Sequence, residues 1–186
     1  MMTTTPSIQW RTPLRFGFFA GIASLLVSTI GLVELFSKRS LITGVITMGQ
    51  VLIFAATVVF AYITARDNAN GQRGIALLYG SLTGVISGIP SALLILLASA
   101  VDLRPFLPNI SPTLIEILSF NLSPTVGSLA FLAAMTITGL IAALFSLLPS
   151  NIQRPIFNGL LWTLTIGLFS EILAGRLRDF FGSGFT

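Results

Sequence analysis

Apolar residues in this chain gather in long, nearly unbroken runs, at 14–36, 41–65, 74–101, 124–148 and 156–175. Each run reaches the roughly 20 apolar residues that a helix needs to cross the hydrocarbon core of a bilayer. The pattern predicts an all-α, polytopic membrane helix bundle of about five transmembrane helices, forming a single transmembrane domain over residues 1–186. Connections at 37–40, 66–73 and 150–155 are short and polar. Short connections make sequence neighbours antiparallel neighbours in space.

The longest connection contains the same signal twice. Asn109-Ile110-Ser111-Pro112-Thr113 is echoed by Asn121-Leu122-Ser123-Pro124-Thr125. Serine at the N-cap followed by proline at the first helical position marks a helix start. Two starts are therefore expected. The first opens a short helix over 112–120, too short to span and expected to lie in the membrane interface or dip back into the bundle. The second opens the fourth span.

Within the spans, small residues form stripes. Gly17, Gly21, Ser24, Ser28 and Gly31 recur at alternating steps of four and three, and Gly80, Gly84 and Gly88 at strict fours. Lipid tails are as apolar as leucine, so close van der Waals contact must supply much of the attraction between helices, and small residues permit it. These stripes are the expected packing faces. Pro90 cannot donate to the Ile86 carbonyl, so a kink is expected there. A hinge lining a site and an ordinary tolerated bend are both compatible with it.

Composition agrees with lipid as the main solvent: of 186 residues, 54% are hydrophobic and only 9% charged, against about a quarter charged in soluble domains. The net charge of +4 comes from ten Lys and Arg against six acids. These cations flank the apolar runs, which is the distribution of a membrane protein and not of a nucleic-acid binder. The first run is longer than the apolar part of a signal peptide and lacks a small-residue cleavage site, so it reads as a retained helix. Five spans divide the cations evenly between the two sides, leaving the absolute topology open; a cytoplasmic N-terminus is the preferred orientation. Trp10, Tyr62, Tyr79 and Trp162 all map nearer the N-terminal side.

The chain has no Cys and no His. This removes thiolate nucleophiles, zinc and iron–sulfur ligation, and His-held haem. No phosphate loop, nucleophile elbow or paired-carboxylate arrangement occurs, so neither an enzyme nor a cofactor or metal site is expected.

Three polar residues inside the runs are candidates for function. Glu171 lies on a stripe with Gly159, Thr163, Gly167 and Gly175. An acid within a membrane helix is a candidate coupling or substrate group. Its alternative is an interfacial pair with Arg176 or Arg178. Gln50, near the middle of the second run, lines a path or hydrogen-bonds a neighbouring helix. Glu34 stands four residues before Lys38, the favourable order for a helical ion pair.

Trp10-Arg11-Thr12-Pro13-Leu14-Arg15-Phe16-Gly17, the segment 34–39 and the stretch 158–178 together resemble the N-terminal membrane region of bacterial permeases of the branched-chain amino-acid ABC transporter family. That resemblance implies a permease-type module for amino-acid import in the bacterial inner membrane, with a cytoplasmic ATPase subunit as partner. The abundance of packing residues points to an alternative: a non-catalytic accessory subunit of a multi-chain photosynthetic or respiratory membrane complex. Both readings require other membrane subunits. Residues 178–186 read like the start of a linker, which leaves open whether the chain is one module of something longer.

Overall fold

The computed structural model describes residues 9–37, 40–42, 46–69, 72–101, 103, 105, 107, 110–156, 158, 159, 162, 165 and 166. The chain divides into two compact units, Met1–Leu147 and Leu148–Thr186. Among the described residues the first unit is helical apart from one very short hairpin. Its elements are α1 (Arg11–Thr29), α2 (Leu32–Ser37), β1 (Ser40–Ile42), β2 (Ile46–Thr47), α3 (Met48–Asn68), α4 (Arg73–Ala100), α5 (Pro112–Leu118) and α6 (Pro124–Ser146). Four of them, α1, α3, α4 and α6, with 19, 21, 28 and 23 residues, are long and apolar enough to cross a membrane. At 1.5 Å per residue they run from about 28 to 42 Å, against a hydrocarbon core of about 30 Å. The chain is a multi-pass membrane protein.

The first two expected spans differ from those seen. Residues 14–36 do not make one helix: α1 ends at Thr29, and Gly31, with φ of +84°, turns the chain into α2. The Gly31 N–H donates to the Ser28 carbonyl at 3.2 Å, the end-of-helix bond that a left-handed residue closes. Gly31 therefore belongs to a turn and not to the packing stripe. The second span starts at Met48, not at residue 41. Residues 41–46 are apolar and rich in β-branched side chains, and β1 and β2 pair antiparallel across them, Ser40 with Thr47 and Ile42 with Ile46.

Gln50 explains where α3 begins. The Thr47 hydroxyl accepts from the Gln50 N–H (3.2 Å), and the Gln50 side-chain oxygen accepts from the Thr47 N–H (3.0 Å). This is a reciprocal capping box, which satisfies two otherwise orphaned backbone donors. Gln50 thus sits in the first turn of its helix, not at mid-span. Thr47→Ala and Gln50→Ala are each expected to cost about 1 kcal/mol. The double variant should lose little more than either single one, because the two bonds form one motif. Thermal melting in detergent measures this, and full additivity would show that the two residues act separately.

Helix α4 is central. It packs against α1, α3 and α6. Gly17 meets Thr83 and Ile86, and Gly21 meets Ser87 and Pro90, so α1 and α4 run in the same direction. Thr57 meets Ser87 while Ala65 clusters with Ala76, and Gly80 and Gly88 meet Gly139 and Leu132, so α3 and α6 run the opposite way. Helix α4 continues unbroken through Pro90, whose ring lies against Gly21.

Between α4 and α6 the chain folds back over the end of the bundle. Ser111 caps α5, its hydroxyl accepting from the Leu114 N–H at 3.0 Å. Leu114 and Leu118 are fully buried in a core with Val33, Ile53, Leu94, Ile95, Ile110, Phe131 and Met135. Phe120 and Asn121, with φ of 56° and 59°, close α5 through bonds from the Phe120 N–H to the Ile117 carbonyl and from the Asn121 N–H to the Glu116 carbonyl. This is the Schellman pattern with phenylalanine where glycine is usual. The Phe120 ring packs on Phe131 at 6.4 Å, a contact that offsets the backbone strain. Helix α6 then starts at Pro124, although Ser123 makes no side-chain cap bond. At the opposite end the core narrows to Ala65, Ala69, Ala76 and Ala143.

In the second unit, residues 150–156 are helical. Gln153 is buried, and its side-chain amide donates to the Leu148 carbonyl at 2.6 Å. Most of the expected fifth span, 156–175, lies outside the described residues.

Candidate functional site: a hydroxyl layer inside the bundle

No Asp, Glu, Lys or Arg occurs within residues 16–29, 48–65, 74–100 or 124–146. What the bundle interior offers instead is hydroxyl groups. Ser24, Ser28, Thr57, Thr64, Thr83, Ser87 and Ser91 are all fully buried. Three lie on α4 at four-residue spacing, Thr83, Ser87 and Ser91, beside the glycine stripe.

Around Ser87 three helices meet. The Ser87 hydroxyl donates to the Gly84 carbonyl of its own helix (2.9 Å) and lies 2.8 Å from the Thr57 hydroxyl of α3. The Met135 sulfur of α6 is 3.3 Å from Thr57 Oγ1. The Thr57 hydroxyl faces two acceptors, the Met135 sulfur and the Ser87 oxygen. Thr83, Thr64 and Ser28 donate instead to carbonyls one turn back, those of Tyr79, Phe60 and Ser24. Such back-bonding is how a hydroxyl is satisfied inside a membrane helix.

Ser24 and Ser91 are different. Both side-chain oxygens are buried with no hydrogen-bond partner. The α1–α4 register places them at one depth, since Ser24 lies a turn beyond Gly21 and Ser91 a turn beyond Ser87. A buried hydroxyl without a partner costs about 1–3 kcal/mol. Chemically the layer can accept or donate hydrogen bonds to a small polar molecule. It holds no base to activate a nucleophile, and the described residues form no His, Cys, Asp and Glu cluster suited to a metal.

The glycines flanking this layer bring backbones into contact. A Cβ on Gly84 would meet the Met135 carbonyl oxygen and, at 3.0 Å, the Thr136 Cα. On Gly80 it would lie 2.5 Å from both the Gly139 carbonyl oxygen and the Ala143 Cβ. Gly17 and Gly21 face α4 in the same way, at 2.8 Å from Ile86 Cβ and from the Ser87 carbonyl oxygen respectively. Gly88 faces the more yielding side chains of Leu132 and Met135.

The polar candidates from the sequence do not converge on this layer. Glu34, on α2, accepts a 2.7 Å hydrogen bond from the Ser111 hydroxyl, which itself caps α5. It ties α2 to the start of α5, while Lys38 lies outside the described residues, as does Glu171. Gln50 is committed to its cap. Sequence reasoning passed over Thr57, Ser87, Ser91 and Gly139. The four-residue spacing of Thr83, Ser87 and Ser91 was the available signal for the serines. Comparison with protein-family models, with curated proteins and with solved structures returns no match.

Proposed function

We propose that this chain is a non-catalytic accessory subunit of a multi-chain membrane complex, a packed helical module against which other membrane chains assemble. The observation that carries this reading is the bundle interior. Residues 16–29, 48–65, 74–100 and 124–146 of its four described spans contain no Asp, Glu, Lys or Arg, and α4 meets α6 backbone to backbone through Gly80, Gly84 and Gly139. A carrier of protons or ions generally places ionisable groups along its path. A scaffold needs only rigidity.

A second reading is a permease-type module of a branched-chain amino-acid ABC importer in the bacterial inner membrane. The resemblance of residues 10–17, 34–39 and 158–178 supports it, together with the unpartnered hydroxyls of Ser24 and Ser91 as groups free to meet a polar solute. Purification of the tagged chain from its native membrane in a mild detergent, with identification of bound chains, separates the two. The accessory reading expects stoichiometric membrane subunits of a redox or pigment assembly. Recovery of an ATPase and a solute-binding protein would establish the permease reading instead. Migration as a lone chain would overturn both.

A further inference from the structure

Four arginines of the first unit share one end of the bundle. Because α1 and α4 run together and α3 runs against them, one end of the bundle collects the start of α1, the end of α3 and the start of α4. That end carries Arg11, Arg15, Arg66 and Arg73, all exposed, with Asp67 as its acid.

None of the four arginines is ion-paired to a described residue. The Arg66 Nη1 donates to the Tyr62 hydroxyl at 2.9 Å and the guanidinium lies 5.8 Å from that ring, while Arg15 lies 5.9 Å from the Phe19 ring. Their stems therefore follow apolar surface and their heads sit at the margin of the spans, the posture of cations reaching for a headgroup layer. Arg11 and Arg73 add a conflict of sign. Each is the first residue of its helix, neither helix has an acid in its first turn, and a helix start carries positive partial charge. An anion on this surface resolves the conflict.

We infer that the arginine end of the bundle binds anionic phospholipid headgroups, with the guanidinium groups of Arg11, Arg15, Arg66 and Arg73 engaging lipid phosphates. The position of these groups at the ends of spanning helices favours lipid over a soluble anion. Arginine matches a phosphate bidentately, and cations near an anionic membrane surface attract it one by one. Trp10 at the start of α1 and Tyr62 beside Arg66 supply aromatic rings at the same level, as found at membrane–water interfaces.

Native mass spectrometry and thermal melting of the purified protein in nanodiscs test the inference. The discs are made from phosphatidylcholine alone or with phosphatidylglycerol added. Phosphatidylglycerol should be retained preferentially and should raise the melting temperature, with affinity falling about fivefold for each arginine replaced by glutamine. The quadruple variant (R11Q, R15Q, R66Q and R73Q) should melt as wild type does in phosphatidylcholine and lose the response to phosphatidylglycerol. Glu116→Gln, at the other end of the bundle, should keep that response. If the quadruple variant cannot be purified, the paired variant Arg11→Gln/Arg73→Gln must still weaken retention. Equal retention of the two lipids by the wild-type chain overturns the inference. So does an unchanged response in the arginine variants, or stabilisation by inorganic phosphate in phosphatidylcholine discs that matches the effect of the anionic lipid.

Discussion

Gly84→Leu is expected to destabilise the purified protein by about 3 kcal/mol or more, at or beyond the upper end of overpacking costs. The reason is what the new side chain would meet. Most overpacked cores yield by rotating a neighbouring side chain, but a Cβ at Gly84 runs into the backbone of α6, at the Met135 carbonyl oxygen and the Thr136 Cα. Backbone moves only if the whole helix moves. Helices α4 and α6 must then separate, which also opens the contacts of Gly80 with Gly139 and Ala143. Even Gly84→Ala, Gly80→Ala and Gly139→Ala should melt measurably earlier. A graded series makes the test sharp. Gly88→Ala should be milder, because Leu132 and Met135 can adjust their side chains, and Gly74→Ala should be neutral or slightly stabilising, because nothing lies within 4 Å of that position. Melting curves in one detergent, with all variants compared at equal concentration, give the ranking. A Gly84→Leu protein that melts with Gly74→Ala would mean that α4 and α6 are not in contact as described.

The same contacts show what the sequence could and could not disclose. Hydropathy alone locates α3, α4 and α6 to within a few residues at most of their ends, because lipid imposes one requirement, length, on every span. It fails where a short-range interaction overrides it. From residue 41 to 46 only Thr43-Gly44 interrupts the apolar run and no charge occurs, so hydropathy carries the helix through a hairpin. The correction lay in Thr47-Met48-Gly49-Gln50, whose first and last members are three apart and cap each other. Gln50 looked like a buried polar residue because the true start of its helix was placed too early. At Gly31 the failure was similar: a glycine that continued the small-residue stripe instead adopts the left-handed conformation that ends α1. The repeated Ser-Pro was read as two helix starts, and α5 and α6 do begin at Pro112 and Pro124. The hydroxyl layer was the least visible. Serine and threonine satisfy themselves on their own helix so often that their spacing says little about function. Only three-dimensional packing separates Ser87, which has partners, from Ser91, which has none.

Replacing these unpartnered serines should have the opposite sign to most core substitutions. Ser24→Ala and Ser91→Ala are each expected to stabilise the bundle by about 1–3 kcal/mol, because each removes a buried hydroxyl that makes no hydrogen bond. Alanine occupies almost the same volume, so no cavity of consequence is left. Thr57→Val, by contrast, deletes the hydroxyl bonded to Ser87 across α3 and α4, and should cost about 0.6 kcal/mol, the average for hydrogen bonds between membrane helices, and no more than about 1.7 kcal/mol. The signs of the three effects test the hydroxyl layer as drawn. Destabilisation by both alanines would mean that Ser24 and Ser91 have partners, water among them, and that the layer is a satisfied network. The same variants also divide the two functional readings. In a scaffold, the stabilised alanine proteins should still assemble with their partner chains. In a permease module that uses these hydroxyls to meet a polar solute, they should melt later and yet lose uptake at normal abundance, the trade of activity for stability expected where polar groups are kept exposed to a substrate. Uptake by membranes containing matched amounts of wild-type and double-alanine protein is the decisive measurement. Unchanged uptake or assembly in the stabilised double variant would remove Ser24 and Ser91 from any functional role and leave the permease reading without its structural support.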